Sequence, residues 1–89
     1  MKAVLFYETA QVEMDKIMTV YPRHQELVAA YAREGKILAI GTFANPMEGA
    51  MAIFRDKESA AEFSQNDPFV LEGIVASQVI KEWNETLLP

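Results

Sequence analysis

Two residues in this sequence have the side chains that acid–base chemistry requires, His24 and Asp67. His24 is the only histidine of the chain, and histidine is the side chain best suited to exchange protons near neutral pH. Asp67 precedes Pro68, an arrangement that also suits the N-cap and first residue of a short helical turn. From position alone, a solvent-facing histidine and a capping aspartate are the favoured interpretations. If the two side chains meet in the fold, they would form a proton-transferring dyad.

Other residues are weaker candidates for contact with a ligand. Arg23 would hold an anionic group, but an arginine beside acidic residues is more often solvated or paired with Glu26. Aromatic side chains would line a pocket, although in a small domain they more often form the core; those in question are Tyr7, Tyr21, Phe43, Phe69 and Trp83. The candidate substrate-binding residues are therefore Arg23, Tyr7, Phe43 and Phe69.

Other catalytic motifs are not found. The chain has no cysteine, which removes disulfides, thiolate nucleophiles and Cys-based metal sites. One histidine without a carboxylate triad gives no basis for a metal site, and the glycines lack the spacing of a phosphate-binding loop. We predict a protein without metal or cofactor.

Length and charge limit the class of protein. The chain has 89 residues, 51% of them hydrophobic, and a formal net charge of −5. This length predicts a single domain over residues 1–89, held together by packing. The negative charge opposes binding to nucleic acid or to an anionic membrane. The first apolar run is too short for a signal sequence or a membrane span, so we expect a cytoplasmic protein.

The elements that position the candidate residues follow the order strand, helix, strand, strand, helix, strand. Apolar, β-prone runs predict strands over residues 3–7, 36–43, 51–55 and 74–83. Pro22 predicts the start of the first helix and Gly35 its end, while 9–20 is interpreted as a loop or an irregular helical turn. Asp56 caps a second helix to about residue 65, and 68–72 forms one further turn. This order predicts a ferredoxin-like split βαβ fold of the α+β class with an antiparallel sheet.

Several predicted strands are apolar on both faces. In the first strand, Val4 and Phe6 alternate with another apolar set. Helices would cover one face only, and the other would expose a patch larger than soluble monomers tolerate. A second copy packed sheet against sheet would cover it, so we predict a homodimer. Gly41 lies inside a strand and Gly49 in a turn, so substitution is expected to be more damaging at Gly41.

The order and spacing of several short motifs resemble the YciI-like (YCII-related) family across nearly the whole chain. The motifs are Pro22-Arg23-His24-Gln25-Glu26-Leu27, Glu34-Gly35-Lys36-Ile37-Leu38, Ile40-Gly41, the Phe54 to Phe63 segment, Asp67-Pro68-Phe69, Gly73 and Lys81-Glu82-Trp83. Members of that family have the dimeric α+β barrel fold, and their histidine and aspartate are regarded as an active-site dyad. The resemblance therefore implies that His24 and Asp67 form this dyad.

The resemblance also has departures, which bear on the substrate. Many relatives carry an arginine three residues before the histidine and a proline after the glycine of the second strand, where this chain has Tyr21 and Thr42. If that arginine binds a substrate anion in the relatives, Arg23 would have to substitute for it from a different face of the helix. The known activity in the family, dehydrochlorination of a chlorinated hydroxyhydroquinone, implies proton transfer or elimination on small cyclic compounds.

Three hypotheses for the function follow. The first is a cofactor-independent lyase or isomerase in which the dyad moves a proton. The second is a non-catalytic module that binds a small molecule or only dimerises. The third is a cofactorless monooxygenase of the related barrel type. The predicted partners are a second copy of the chain and a small-molecule ligand.

Overall fold

The computed structural model describes residues 1–89 and consists of a four-stranded antiparallel sheet with helices packed on it. The strands are β1 (Lys2–Thr9), β2 (Ile37–Thr42), β3 (Ala50–Phe54) and β4 (Val75–Trp83), in the spatial order β2-β3-β1-β4. The helices are α1 (Met14–Arg33), α2 (Lys57–Asn66) and α3 (Pro68–Leu71), with a 3₁₀ turn at Pro46–Glu48. None of the helices is both long and apolar enough to cross a membrane. The order of elements is ferredoxin-like, so the predicted fold class is confirmed.

The first helix is longer than predicted. α1 begins at Met14 and contains Pro22, so the prediction that Pro22 opens the helix was wrong. Pro22 lacks the N–H that would bond the carbonyl of Met18. It lies on the exposed face of α1, where water can satisfy that carbonyl, so the helix continues through it.

A stripe of inward-facing side chains holds α1 on both sides of the proline. Val20, His24 and Tyr31 are buried, and Leu27 and Val28 are half-buried between them. Their spacing along the chain is that of a single helix face. His24 therefore lies in the middle of α1, not in its first turn, and it faces the core.

The core between helices and sheet is built on aromatic contacts. Phe63 of α2 is fully buried, with its ring centroid 5.2 Å from that of Phe54 and 5.3 Å from that of Tyr31. The predicted N-cap of α2 is confirmed, because Asp56 accepts a hydrogen bond from the amide of Ser59. These contacts fix α2 on the sheet and so place the junction that follows it.

The opposite face of the sheet carries a second apolar set. Phe6 of β1 pairs with Met51 of β3 and with Val79 of β4, and Val4 pairs with Ile53. These five side chains alternate with those that face the helices. Val79 is 49% exposed in the single chain. We call this set the free sheet face.

Gly49 is the glycine that the fold constrains most. Its φ is +105°, and a Cβ added there would overlap the carbonyl oxygen of Tyr7. A Cβ at Gly41 would meet nothing within 4 Å. The prediction that Gly41 is the more sensitive position was therefore wrong, because it considered strand position and not the close approach of the turn to β1.

Candidate active site

Asp67 joins α2 to α3 and is completely buried. Pro68 excludes it from the helical region, and its side chain caps α3 by accepting from the amide of Phe69, 3.0 Å from Oδ1. The same Oδ1 lies 2.8 Å from Nδ1 of His24, and Oδ2 accepts from the hydroxyl of Tyr7 at 2.7 Å. Asp67 is therefore at once a helix cap and a hydrogen-bond partner of His24, roles that the sequence presented as alternatives.

This pairing determines which nitrogen of His24 is free. Asp67 accepts hydrogen bonds from the hydroxyl of Tyr7 and the amide of Phe69, as an ionised carboxylate does. Because a carboxylate can only accept, Nδ1 of His24 must carry the hydrogen in its bond to Asp67. In the neutral ring the lone pair then lies on Nε2. Nε2 has no hydrogen-bond partner in the protein and is not sealed from solvent. It is the ring nitrogen that a ligand can reach.

Tyr7 supports Asp67 from β1. Its hydroxyl is buried and donates to Oδ2 of Asp67. Burial, and then the neighbouring carboxylate, hold the pKa of Tyr7 well above its usual range, because both disfavour the phenolate. Because the hydroxyl donates its hydrogen to Asp67, Tyr7 can contact a ligand in the cavity only through its aromatic ring.

Phe69 holds both members of the pair. Its backbone amide donates to Asp67, and its ring is stacked on the imidazole of His24, with the centroids 4.1 Å apart and the planes 10° apart. Phe63 approaches the same imidazole edge-on, at 6.2 Å between centroids. The orientation of His24 is thus set by one hydrogen bond and two aromatic contacts.

A cavity of about 370 Å³ lies between α1 and the sheet, with His24 in its wall. Ten of its fourteen lining residues are hydrophobic. Polar groups come from Tyr21 and Gln25 on α1 and from Thr42 on β2, besides His24. The cavity is therefore mostly apolar, with a few polar groups near the candidate base.

The structure brings together only part of the predicted substrate-binding set. Tyr7 and Phe69 line the cavity, but Arg23 and Phe43 do not. Arg23 is exposed, and its nearest acidic group is Glu72 at 3.9 Å, not the expected Glu26. Trp83 is 45% exposed on β4 and also lies outside the cavity.

Sequence reasoning missed Gln25 and Val28 as cavity residues. For Val28 the signal was the helical spacing, because a residue four positions after His24 shares its face once the histidine is known to point inward. Gln25 directly follows His24 and is exposed, so the spacing gave no signal for it. Thr42 stood out in the sequence only as a departure from the family pattern, and its place in the wall depends on how β2 packs against α1. No three side chains of the His, Cys, Asp or Glu type come close enough together to hold a metal ion.

The fold and the site together define a ferredoxin-like α+β domain with a buried histidine–aspartate pair at an apolar cavity. The chain belongs to the YCII-related domain family, whose family model matches residues 1–84. A comparison with curated proteins finds no significant match.

Among solved structures, the chain is similar to 5-chloro-2-hydroxyhydroquinone dehydrochlorinase (TftG) from Burkholderia phenoliruptrix AC1100, in complex with 2,5-dihydroxybenzoquinone. The TM-score is 0.75 and the identity 19%, over 97% of this chain and 96% of that one. It is also similar to an antibiotic biosynthesis monooxygenase, with a TM-score of 0.60 and 14% identity over 97% and 98% of the two chains. A hypothetical Arabidopsis thaliana protein gives a TM-score of 0.54 and 18% identity over 99% and 89%. At these identities the likeness shows the fold.

Proposed function

We propose that the protein is a cofactor-independent enzyme that moves a proton on a small cyclic or aromatic compound, as a lyase or an isomerase. His24 is the base and Asp67 its partner. This proposal is carried by the different environments of the two imidazole nitrogens of His24. Nδ1 is hydrogen-bonded to a buried carboxylate, and Nε2 has no partner and lies in the wall of a cavity. This is the arrangement that a general base requires.

The reaction needs only groups of the chain and of the bound compound. Nε2 of His24 takes a proton from a hydroxyl or an acidic C–H group, and the electron pair stays on the compound. Asp67, 2.8 Å from Nδ1, stabilises the imidazolium that forms. In an isomerisation the proton returns to another atom of the compound. In an elimination it passes to water, and a leaving group such as chloride departs with its electron pair.

A hydroxylated ring is the proposed substrate type. The similar dehydrochlorinase acts on 5-chloro-2-hydroxyhydroquinone, and loss of HCl from such a ring combines a proton transfer with departure of chloride. The cavity of about 370 Å³ lies at the small end of the usual range for small-molecule sites, roughly 300 to 1,000 Å³. That size suits a single substituted ring.

The proposal includes a homodimer. The free sheet face groups Phe6, Met51 and Val79 on one surface, and no helix of the same chain covers it. β2, at the edge of the sheet, is exposed over most of its length and contains no charged residue or proline to prevent pairing. A second copy packed sheet against sheet would remove the free sheet faces of both copies from water.

The test is chloride release from 5-chloro-2-hydroxyhydroquinone without added cofactor and without oxygen. We expect release with the wild type and with Glu26→Gln, an exposed control position outside the cavity on the same helix. His24→Gln should be slower by about 100-fold or more, the usual effect of losing a general base. Equal rates for His24→Gln and wild type would refute the role of His24.

Two other outcomes would replace the proposal. Conversion of the ring only when oxygen is admitted would favour the monooxygenase hypothesis, which the fold shared with the monooxygenase neighbour suggests. Binding without any conversion, unchanged by His24→Gln, would favour the non-catalytic module.

A further inference from the structure

No side chain in the wall of the cavity carries a fixed charge. Its fourteen lining residues include no lysine, arginine, aspartate or glutamate. Arg23, which follows Pro22 on α1, is exposed outside the wall, 3.9 Å from Glu72. A carboxylate or phosphate that entered the cavity would therefore give up part of its hydration without gaining an ion pair, which is unfavourable.

The fixed charge that lies behind His24 is negative. Asp67 is completely buried, and its Oδ1 is 2.8 Å from Nδ1 on the far side of the imidazole from the free nitrogen. The groups that donate to it, the hydroxyl of Tyr7 and the amide of Phe69, are dipoles without net charge. With the imidazole neutral, an anion placed at Nε2 is repelled by this carboxylate.

Uncharged donors are available instead. Gln25 of α1 and Thr42 of β2 stand on opposite walls of the cavity. Both are exposed, and neither side chain hydrogen-bonds to another group of the protein. An amide and a hydroxyl can donate to, or accept from, the hydroxyl and carbonyl oxygens of a ring without requiring a charge.

We propose that the site selects ring compounds without a carboxylate, sulfonate or phosphate group, with Gln25 and Thr42 as the residues that determine this specificity. The proposal rests on the proposed function in treating the cavity as the substrate site. The added inference is that a compound with an ionised substituent on its ring is excluded from the cavity. Charge on the reacting ring then arises only after His24 has taken the proton, beside the imidazolium that is formed in the same step.

The experiment measures binding, so it is independent of turnover. Hydroquinone and 2,5-dihydroxybenzoate have the same hydroxylated ring, and the second adds one carboxylate. Their dissociation constants are measured by calorimetry in anaerobic buffer at neutral pH for wild type, Gln25→Arg and Gln65→Arg. Gln65 is an exposed residue of α2 outside the cavity, so the control makes the same change of side chain and net charge.

We expect the wild type and Gln65→Arg to bind hydroquinone at least about tenfold more tightly than 2,5-dihydroxybenzoate, as repulsion by one partly screened charge requires. Gln25→Arg should reduce or reverse the preference. Thr42→Val should weaken hydroquinone binding about two- to tenfold, the effect of one lost hydrogen bond. Equal or tighter binding of the carboxylate by wild type, equal effects of the two arginines, or no binding of either compound would overturn the proposal. A retained preference without turnover on any ring would contradict the proposed function alone.

Discussion

The ring of Phe69 lies parallel to the imidazole of His24, with 4.1 Å between centroids and 10° between planes. Because the amide of Phe69 also donates to Asp67, one residue orients the base through its side chain and the carboxylate through its backbone. The single helical turn α3 therefore serves as the support of the site, and Phe69 is a positioning residue for the proposed reaction.

Phe69→Leu separates these two contributions. The backbone amide and the cap of Asp67 are kept, while the stacking on His24 is lost. We expect a loss of about 1 kcal/mol in the free energy of unfolding, within the range for one aromatic pair, and a fall in kcat on the ring substrate with KM less affected. Denaturant unfolding and steady-state kinetics measure the two effects. An unchanged kcat would show that the stacking does not position the base.

Tyr7→Phe should destabilise the protein in a pH-dependent way. At neutral pH the variant leaves Oδ2 of Asp67 without its buried donor, which costs about 1 to 3 kcal/mol. Since the folded pKa of Tyr7 is raised above its ordinary 10.0, the stabilisation by Tyr7 is fully present below the unfolded pKa. It is lost as pH rises from there toward the folded value, because the unfolded tyrosine ionises first.

The measurement is urea unfolding of wild type and Tyr7→Phe at pH 7, 9 and 11 (chosen to bracket the ordinary tyrosine pKa of about 10). The advantage of the wild type should be constant up to pH 9 and smaller at pH 11. Tyr31 is present in both proteins, so its own raised pKa cancels in the difference. A constant advantage over the whole range would mean that Tyr7 ionises in the folded state as it does when unfolded.

Val79→Glu tests the proposed dimer. Val79 is 49% exposed on the free sheet face of the single chain, so a charge there costs the protomer little but would be buried in a sheet-to-sheet interface. We expect sedimentation at micromolar concentration to give a dimer for wild type and a monomer or unfolded chain for Val79→Glu. Leu71→Glu, at a 67% exposed position on α3, is the control and should stay dimeric. A monomeric wild type would exclude the dimer.

Gly49→Ala and Gly41→Ala should differ in the direction opposite to that predicted from strand position. Alanine at Gly49 meets the carbonyl of Tyr7 and a positive φ, and strain of this kind costs about 1 to 3 kcal/mol before the overlap is counted. Alanine at Gly41 meets no atom of its own chain. Thermal unfolding should therefore show a much larger loss for Gly49→Ala, and equal losses would contradict the close approach at β1.

The sequence was sufficient to predict the fold because local signals agreed with the topology. The apolar alternation of the strands, the Asp56 cap and the Asp67-Pro68 junction each mark an element that is present. The start of α1 was missed because its first two turns expose Met14 and Met18 and because Pro22 is a typical helix opener. The inward stripe that extends the helix includes a histidine, which an apolar pattern does not count.

The site was less accessible to sequence reasoning than the fold. His24 and Asp67 are 43 positions apart, so the predicted topology could only permit their contact, and the family resemblance was needed to pair them. Tyr7 was predicted to contact substrate, yet its hydroxyl donates to Asp67 across 60 positions. Such partners depend on how α1, α3 and β1 pack together, and no local spacing encodes that. The absence of Arg23 from the cavity has the same origin, because its direction depends on the face that α1 buries.

¹⁵N NMR of the single histidine shows whether Asp67 sets the tautomer of His24 and leaves Nε2 as the base. Spectra of wild type and Asp67→Asn are recorded at a pH where the ring is neutral. Asn keeps an oxygen that can cap α3 but offers an N–H as well as an oxygen, so it no longer requires hydrogen on Nδ1. We predict that wild type has hydrogen on Nδ1 and none on Nε2, and that Asp67→Asn shifts the population toward hydrogen on Nε2. Hydrogen on Nε2 in wild type, or identical tautomers in the two proteins, would contradict the account.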